Sequence, residues 1–440
     1  MSDTYSNSAF ILRHSVYINS VRCFFIFYIL VGLPNGFQVR YLPLYFRTHG
    51  MSLAEVGLYR LLVLPWLLKG VWTTYIDRNT DVRIWLKTSL FLLVVVCVVG
   101  AQFPPTHTIP VVIILLLFNL ITSVQDTAVD SLILDAFTPS QLLIGNVAQA
   151  VGERIGSIIS GGVFSWYIDT ISWNGVLYIM AAMYGVGFLT SHFMLPDWTE
   201  SRPTGNNPPQ GRHSGSNIVP SAGRSNTSIQ LSLKQSMTKL FRDISWWMVV
   251  YVLFYKIGEV GVLNLFPLFL VDKNIDASEI GFWLGIVGQS LSVVGSTATA
   301  FYPFGSLLGP LTVLMTIRAV CIVISWMAVN SWHVDPATCY VSGIISLLIV
   351  SFTGGAITTC VQTLLMQLSQ LAPRHERPKH YALYSFGELI AKLLFAASVG
   401  AIAQITSYQF AFSFFSIAAV IMLPYMLLAP TEVRIPMNLS

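Results

Sequence analysis

Long apolar runs alternate with short polar segments along almost the whole 440-residue chain. A bilayer core of about 30 Å requires roughly 20 mostly apolar residues in an α-helix, and this length predicts about twelve transmembrane helices. The predicted spans are 21–46, 53–76, 84–103, 110–135, 142–168, 173–195, 244–271, 278–302, 306–330, 338–370, 380–404 and 407–429. The expected fold class is an all-α membrane protein with six helices on each side of a long central segment.

The central segment, 196–243, differs in composition from the rest of the chain. Its first part, up to about Ile229, is rich in Pro, Gly, Ser and Asn, which predicts a disordered linker. From Leu231 to Arg242, apolar and basic residues alternate at helical spacing, which fits either a basic helix on the membrane surface or an extension of the seventh helix. The predicted organisation is a cytoplasmic segment 1–20, a half 21–195, the linker 196–243, a half 244–429 and a tail 430–440.

The composition fits a protein embedded in lipid. Hydrophobic residues make up 54% of the chain and charged residues 10%, whereas a soluble domain has about 25% charged residues. The net charge of +4 is concentrated in short segments between apolar runs, so the lipid bilayer is a predicted partner and nucleic acid is not. The five cysteines have no metal-ligand spacing and are predicted to pack helices, with neither metal nor cofactor expected: Cys23, Cys97, Cys321, Cys339 and Cys360.

Basic residues predict the orientation in the membrane, because short cytoplasmic loops retain an excess of Lys and Arg. With the amino terminus inside, the outer loops hold only Arg47 and Lys273. The inner segments hold Arg13, Arg78, Arg83, Arg202, Arg212, Arg224, Lys234, Lys239, Arg242, Arg374, Arg377, Lys379 and Arg434. Both termini are therefore predicted to be cytoplasmic. Whether the membrane is the plasma membrane or an internal one stays open.

The two halves carry an internal repeat. Pro43, Glu55 and Gly57 of the first half reappear in the second half, each displaced by 224 positions. Two parallel six-helix halves joined by a cytoplasmic linker resemble the layout of a major facilitator transporter. This resemblance implies a solute site near the bilayer midplane, between the halves.

Charged residues within the predicted spans are informative because each costs about 2.5–3.5 kcal/mol on insertion scales. They fall on helices one, two, four, five, seven and eleven, which line the cavity in major facilitator folds together with helices eight and ten. Helices three, six, nine and twelve support such folds from outside, and of these, helices three, six and twelve hold essentially none. The exception is Arg318 on helix nine, which is expected to snorkel or to pair across an interface.

Spacing suggests roles for the acidic residues. Asp126 and Asp130 are four residues apart and share one helix face, so repulsion between two carboxylates favours protonation of one of them. Proton coupling requires such an exchangeable group. The predicted proton-coupling residues are Asp126, Asp130, Glu259 and Glu388.

Two pairs of opposite charge are spaced for contacts within one helix. Glu388 and Lys392 are four residues apart. Lys256 and Glu259 are three apart. Such pairs would lower the insertion cost, and for both pairs a structural and a functional role stay open.

Glu153 and Arg154 are adjacent and point about 100° apart on a helix, so at least one is expected to face the cavity. Arg60 and Lys69 are nine residues apart and out of phase on an α-helix, and of the two Lys69 is favoured as a site residue. The predicted substrate-binding residues are Arg40, Lys69, Gln125, Glu153, Arg154, Lys256, Gln362 and Lys392.

The end of helix two carries a tight charged turn, 77–83. Major facilitator transporters have such a turn there as a cytoplasmic gate, whose charges exchange partners as the halves move. The alternative is an ordinary basic inner loop. The predicted gate residues are Asp77, Arg78, Asp81 and Arg83.

Four stretches resemble one branch of that superfamily, which includes the acetyl-coenzyme A transporter of the endoplasmic reticulum and the bacterial muropeptide permease. They are GLPNG at 32–36, PWLLKGVW at 65–72, QDTAVD at 125–130 and GERIG at 152–156. The chain departs from the branch at Thr73 and Thr74, where Pro is usual, and at Glu153, where Tyr or a similar residue is usual. The resemblance implies uptake of a sizeable anionic or amide-rich solute together with protons. The protein is also expected to be a monomer.

Two other classes of protein are alternatives. A membrane-embedded acyltransferase would need a base such as His inside the membrane, but all eight histidines fall in predicted loops or at helix ends. A solute sensor that keeps the transporter fold without turnover is a further alternative. ATP-driven pumping is not supported, because the sequence has no phosphate-binding Gly-rich loop followed by Lys-Ser or Lys-Thr.

Overall fold

The computed structural model describes residues 22–69, 72, 81–136, 142–193, 245–301, 307–370 and 377–430. Across these ranges the chain is helical and contains no strand. The segment 1–20, the linker with its basic stretch, most of the tail, and the gate residues Asp77 and Arg78 lie outside the described residues.

The helices fall close to the predicted spans. The first half contains α1 Arg22–Thr48, α2 53–68, α3 Val82–Gly100, α4 Thr108–Ala136, α5 142–166 and α6 Trp173–Phe193. The second half contains α7 Trp246–Asp272, α8 277–301, α9 Leu308–Asn330, α10 Pro336–Gln370, α11 Arg377–Ile405 and α12 Tyr408–Leu427. Ten of these helices include a span long and apolar enough to cross a membrane. The other two, α2 and α5, carry charged and glycine residues where they pack against other helices.

Several helices depart from α geometry over part of their length. Single π-helical segments occur in α1 (Phe37–Tyr41), α5 (Ile159–Val163) and α8 (Gly281–Val287), and α2 continues as a 3₁₀ helix over Arg60–Leu68. The π segments of α5 and α8 pack directly against each other, since a Cβ on Gly162 would lie 2.7 Å from the backbone of Gly285. Such irregular turns are frequent at functional sites, and here they lie where the halves meet.

The helices expected to lie at the periphery expose apolar side chains, as lipid contact requires. Phe91 on α3, Val186 on α6, Val313 on α9 and Ile421 on α12 are each more than half exposed. The five cysteines are free and buried, which confirms the prediction that they pack between helices.

The two halves meet at the ends of the helices predicted to be on the outer side. Arg47 on α1 donates two hydrogen bonds of 2.6 Å to the carboxylate of Asp272 on α7. The backbone N–H of Ala54 on α2 donates to Gln404 Oε1 on α11 at 2.9 Å. Together with the contact between α5 and α8, these interactions close the space between the halves on the outer side.

Closure of the outer side depends on a glycine at the contact between α2 and α11. A Cβ on Gly400 would lie 1.9 Å from the Leu53 carbonyl oxygen, and overpacking of this kind costs about 1–3 kcal/mol. We therefore expect Gly400→Ala to open the outer side. Faster labelling of a thiol introduced by Ser165→Cys, which is buried between α5 and α8, would measure this opening.

The matched control for that variant is Gly185→Ala on α6, because a Cβ there meets nothing within 4 Å. Labelling rates that change equally in the two variants would argue against the proposed role of Gly400.

Candidate functional site

The first half contains a cluster of charges built around Lys69. Its Nζ atom lies 2.7 Å from Asp126 Oδ2 and 2.7 Å from Asp130 Oδ2, so one ammonium group bridges both carboxylates of α4. The Tyr28 hydroxyl on α1 donates to Asp130 Oδ1 at 2.9 Å. The i, i+4 spacing puts both carboxylates on one face of α4, as the sequence predicts, and the tertiary structure supplies the cation between them.

The two carboxylates differ in their access to solvent. The Asp126 side chain is 4% exposed and that of Asp130 is 31% exposed. One oxygen of Asp126 has no hydrogen-bond partner within the described structure. Asp130 is therefore the more solvent-accessible of the two carboxylates, whereas Asp126 depends on Lys69 to compensate its buried charge.

Glu153 lies next to this cluster through Gln149, one turn earlier on α5. The Gln149 amide donates to Glu153 Oε1 at 3.0 Å and reaches Asp130 Oδ1 at 3.5 Å. Close packing of α1 on α5 makes this proximity possible, because a Cβ on Gly32 would lie 2.1 Å from the Glu153 carbonyl oxygen. The GLPNG and GERIG stretches thus meet at a tight helix crossing.

The second half contains a corresponding cluster around Glu388 on α11. Glu388 Oε1 accepts a hydrogen bond of 2.6 Å from the Tyr255 hydroxyl and lies 3.1 Å from Lys256 Nζ. Its other oxygen accepts from the Gln362 amide at 3.0 Å. Tyr381 in turn donates to Gln362 Oε1 at 2.9 Å, which fixes the orientation of that amide.

Both intrahelical pairs suggested by the spacing are wrong. Lys256 pairs with Glu388 on α11, and Glu259 pairs with Arg318 on α9 at 2.6 Å. The break in α7 at Tyr255 and Lys256 contributes to this difference, because it changes the direction of Lys256 relative to the next turn. Lys392 makes no ion pair within the described residues.

Arg318 is the charged residue on α9 that the sequence leaves open between snorkelling and pairing. The structure shows pairing: its side chain is 2% exposed, NH1 donates to Glu259 and NH2 donates to the Tyr255 carbonyl oxygen at 2.7 Å. That carbonyl lies at the break in α7, where the regular helical bonding is interrupted. Arg318 therefore stabilises the break as well as the buried carboxylate.

Two cationic side chains approach each other from opposite halves. Lys392 on α11 interacts electrostatically with Lys256 on α7 and, more weakly, with Arg154 on α5 of the other half. Lys392 is exposed and Arg154 is partly exposed, which indicates solvent-accessible space between the halves at this level. Neither forms a salt bridge in the part of the chain that the structure describes.

Arg40 lies apart from these clusters, beside Arg60 and beneath the closed outer side. Both arginines line a cavity of about 30 Å³ between the halves. The 3₁₀ winding of α2 changes the expected phase of Arg60 and Lys69, because three residues per turn return to the same face after nine residues. At about 2 Å per residue they lie some 18 Å apart along that face.

The remaining predicted residues lie in other surroundings. Gln125 is fully buried, and its amide has no hydrogen-bond partner in the described ranges, so it does not reach the cavity in this conformation. Asp81 caps the amino terminus of α3 by accepting from the Arg83 backbone N–H at 3.0 Å. Among the predicted gate residues that the structure describes, Asp81 thus has a local structural role.

Four residues that orient the charged groups are absent from the sequence-based predictions. These side chains are uncharged at neutral pH, so an inventory of charged residues does not find them: Tyr28, Gln149, Tyr255 and Tyr381. The signal that could have identified these four residues is their position. Each lies within one or two turns of a charged residue on its own helix or faces one on a neighbouring helix.

Comparison with known proteins supports the fold. Residues 23–370 match the family described as the Major Facilitator Superfamily. The anhydromuropeptide permease of Escherichia coli strain K12 is 22% identical over 284 residues, which cover 62% of this chain and 52% of the permease. The chain therefore spans about half the length of that curated relative.

Solved structures are similar over nearly the whole chain. A mutant of the nucleoside transporter NupG superposes with a TM-score of 0.66 and 12% identity, covering 93% of this chain and 99% of the other. The xylose transporter XylE from E. coli in an inward open conformation gives a TM-score of 0.65 and 11% identity, covering 96% and 98%. At these identities, the likeness shows the fold alone.

Proposed function

Because the chain belongs to the Major Facilitator Superfamily and is a multi-pass membrane protein rather than an enzyme, we propose that it is a secondary active transporter of an organic anion. The halves would alternate access to a solute site between them. The proposed organisation places the site between 21–195 and 244–429, with the linker on the cytoplasmic side.

The observation that carries this proposal is the juxtaposition of Arg154 and Lys392. They come from opposite halves, and neither forms a salt bridge with a carboxylate among the described residues. Lys256 repels Lys392 most strongly and Arg154 adds to this repulsion, while Glu259 and Glu388 offset part of it. An anion between them would relieve that repulsion and join the halves, whereas a cation would increase it. The proposal therefore favours an anionic solute, with Glu153 setting its orientation at the adjacent position on α5.

Proton coupling is proposed to use the Lys69 cluster. When Asp130 is protonated, Lys69 loses one of its two carboxylate partners and becomes available to an anion entering the cavity. When Asp130 is ionised, it competes for the same ammonium group. Glu388, which holds Lys256 in the other half, is proposed to act in the same way.

The solute to test first is acetyl-coenzyme A, on the basis of the sequence resemblance. An anhydromuropeptide is the second, because the relative in E. coli is named as a permease for it. Both solutes carry anionic groups and amides. A sensor that binds without transport is the alternative function.

The test is uptake of each labelled solute into proteoliposomes, with and without an imposed proton gradient. We expect gradient-driven uptake of an anionic solute, lost in Asp130→Asn and unchanged in Asp169→Asn, which removes an exposed carboxylate from the loop between α5 and α6. Saturable binding without uptake would favour the sensor. Equal uptake with and without the gradient would contradict proton coupling.

A further inference from the structure

Arg60 is buried and Arg40 is partly buried, and neither cation has a protein counter-ion among the described residues. Arg60 is 7% exposed, and the Arg40 Nε atom is buried without a hydrogen-bond partner. Across the described ranges, neither side chain makes a hydrogen bond or an ion pair. Their charges interact unfavourably with each other, and uncompensated charges at membrane depth cost several kcal/mol.

The carboxylate that interacts with Arg40 does not compensate this charge. Glu259 interacts electrostatically with Arg40, but its carboxylate is already bound by Arg318 at 2.6 Å. The arginines therefore lie in a position where a further negative charge would be stabilised.

The cavity that they line is formed by both halves. The first half contributes Arg40, Arg60 and Ser165 to its lining. The second half contributes Asn264 and Leu284. Arg40 lies about 8 Å outward of the middle of α1, at 1.5 Å per residue. The cavity, about 30 Å³, has room for one small polar group and not for a whole large solute.

We infer that Arg40 and Arg60 form an oxyanion site, which receives one phosphate or carboxylate group of the solute and favours closure of the outer side when occupied. Guanidinium groups bind such oxyanions through paired N–H donors. With the outer side open, the arginines would lie in the vestibule; with it closed, they are buried together. A bound oxyanion offsets their repulsion and therefore stabilises the closed arrangement. This inference deepens the proposed function and rests on it, because the oxyanion belongs to the solute.

The geometry of α2 supports a path for a sizeable anion. Arg60 and Lys69 share one face of the 3₁₀ segment, roughly 18 Å apart by its rise. One anionic group of an extended solute would bind near Arg60, while another group lies toward the central cavity. A short anion would occupy only one of these positions.

The experiment measures closure of the outer side by thiol labelling. The Ser165→Cys background places a thiol on the cavity wall. The five native cysteines are buried and do not line this cavity. A membrane-impermeant maleimide is added from the outer side of oriented vesicles, while chloride is replaced by sulfate, phosphate or acetate at constant ionic strength. We expect these oxyanions to slow labelling.

Two substitutions separate anion binding from a structural role. Arg60→Gln removes the repulsion, so labelling without sulfate is expected to be slower than in the parent. It also removes one charged partner, so half-maximal protection is expected to require about tenfold more sulfate. Arg60→Lys keeps the charge, so its labelling without sulfate is expected to match the parent, with an intermediate requirement for sulfate.

Lys87→Gln is the control, because it removes one positive charge from α3, outside the cavity. Unchanged sulfate sensitivity in Arg60→Gln, or an equal change in Lys87→Gln, would overturn the inference. Uptake is measured in the same vesicles. Protection without uptake would remove the transport proposal and leave the oxyanion site, whereas uptake without protection would remove the site alone.

Discussion

Lys69→Met is expected to abolish gradient-driven uptake and to destabilise the protein. The substitution leaves the Asp126 carboxylate, 4% exposed, without the cation that lies 2.7 Å away. Removing one partner of a buried pair costs about 3–5 kcal/mol, and we expect a value near 3 kcal/mol because the Lys69 side chain is itself 36% exposed. Thermal unfolding of the purified protein measures the loss of stability, and proteoliposome uptake measures the loss of function.

A double variant separates the two effects. Lys69→Met combined with Asp126→Asn removes the uncompensated buried charge, so most of the stability is expected to return. Uptake is expected to stay absent, because protonation of Asp130 then frees no ammonium group for the solute. Restored uptake in the stable double variant would show that Lys69 serves only to compensate Asp126.

Arg318→Leu is expected to destabilise the second half by about 3–5 kcal/mol. Its guanidinium is 2% exposed and binds Glu259 at 2.6 Å and the Tyr255 carbonyl oxygen at 2.7 Å. Loss of Arg318 leaves a nearly buried carboxylate and a backbone acceptor at the break in α7. A lower thermal midpoint in detergent, together with a smaller yield of folded protein, is the expected measurement.

The proton-coupling role predicted for Glu259 is tested by adding Glu259→Gln to Arg318→Leu. The neutral amide removes the buried charge, so partial recovery of stability is expected. Uptake in this stable double variant decides between two roles of Glu259. Gradient-driven uptake would indicate that the pair is structural, whereas uptake that is independent of the gradient would assign proton coupling to Glu259.

The positions of the helices were predictable from the sequence, because the length of each apolar run reflects the thickness of the bilayer. The predicted span 173–195 corresponds to Trp173–Phe193, and the predicted span 338–370 to Pro336–Gln370. The all-α fold with two six-helix halves is confirmed by the family match and by the structural comparisons. The 224-residue offset of the internal repeat predicted the relation between the halves from the sequence alone.

Which charges pair was not predictable, because spacing along a helix reports neighbours only on that helix. Lys256 and Glu259 have favourable spacing, yet each binds a residue on another helix. Likewise, the phase of Arg60 and Lys69 depends on a 3₁₀ segment that the apolar pattern does not reveal. These features result from packing between helices, where close backbone contacts and buried charges select one arrangement.

The sequence by itself determined that this is a membrane protein of two repeated halves, with ionisable residues concentrated on helices that face other helices. Both results follow from the high cost of exposing polar groups to lipid. Only the tertiary structure decided which carboxylate each cation binds, that Arg154 and Lys392 approach from opposite halves, and that Arg40 and Arg60 share one cavity. These contacts join residues that are distant in the chain, and their geometry is set by helix crossings and local changes in helix winding.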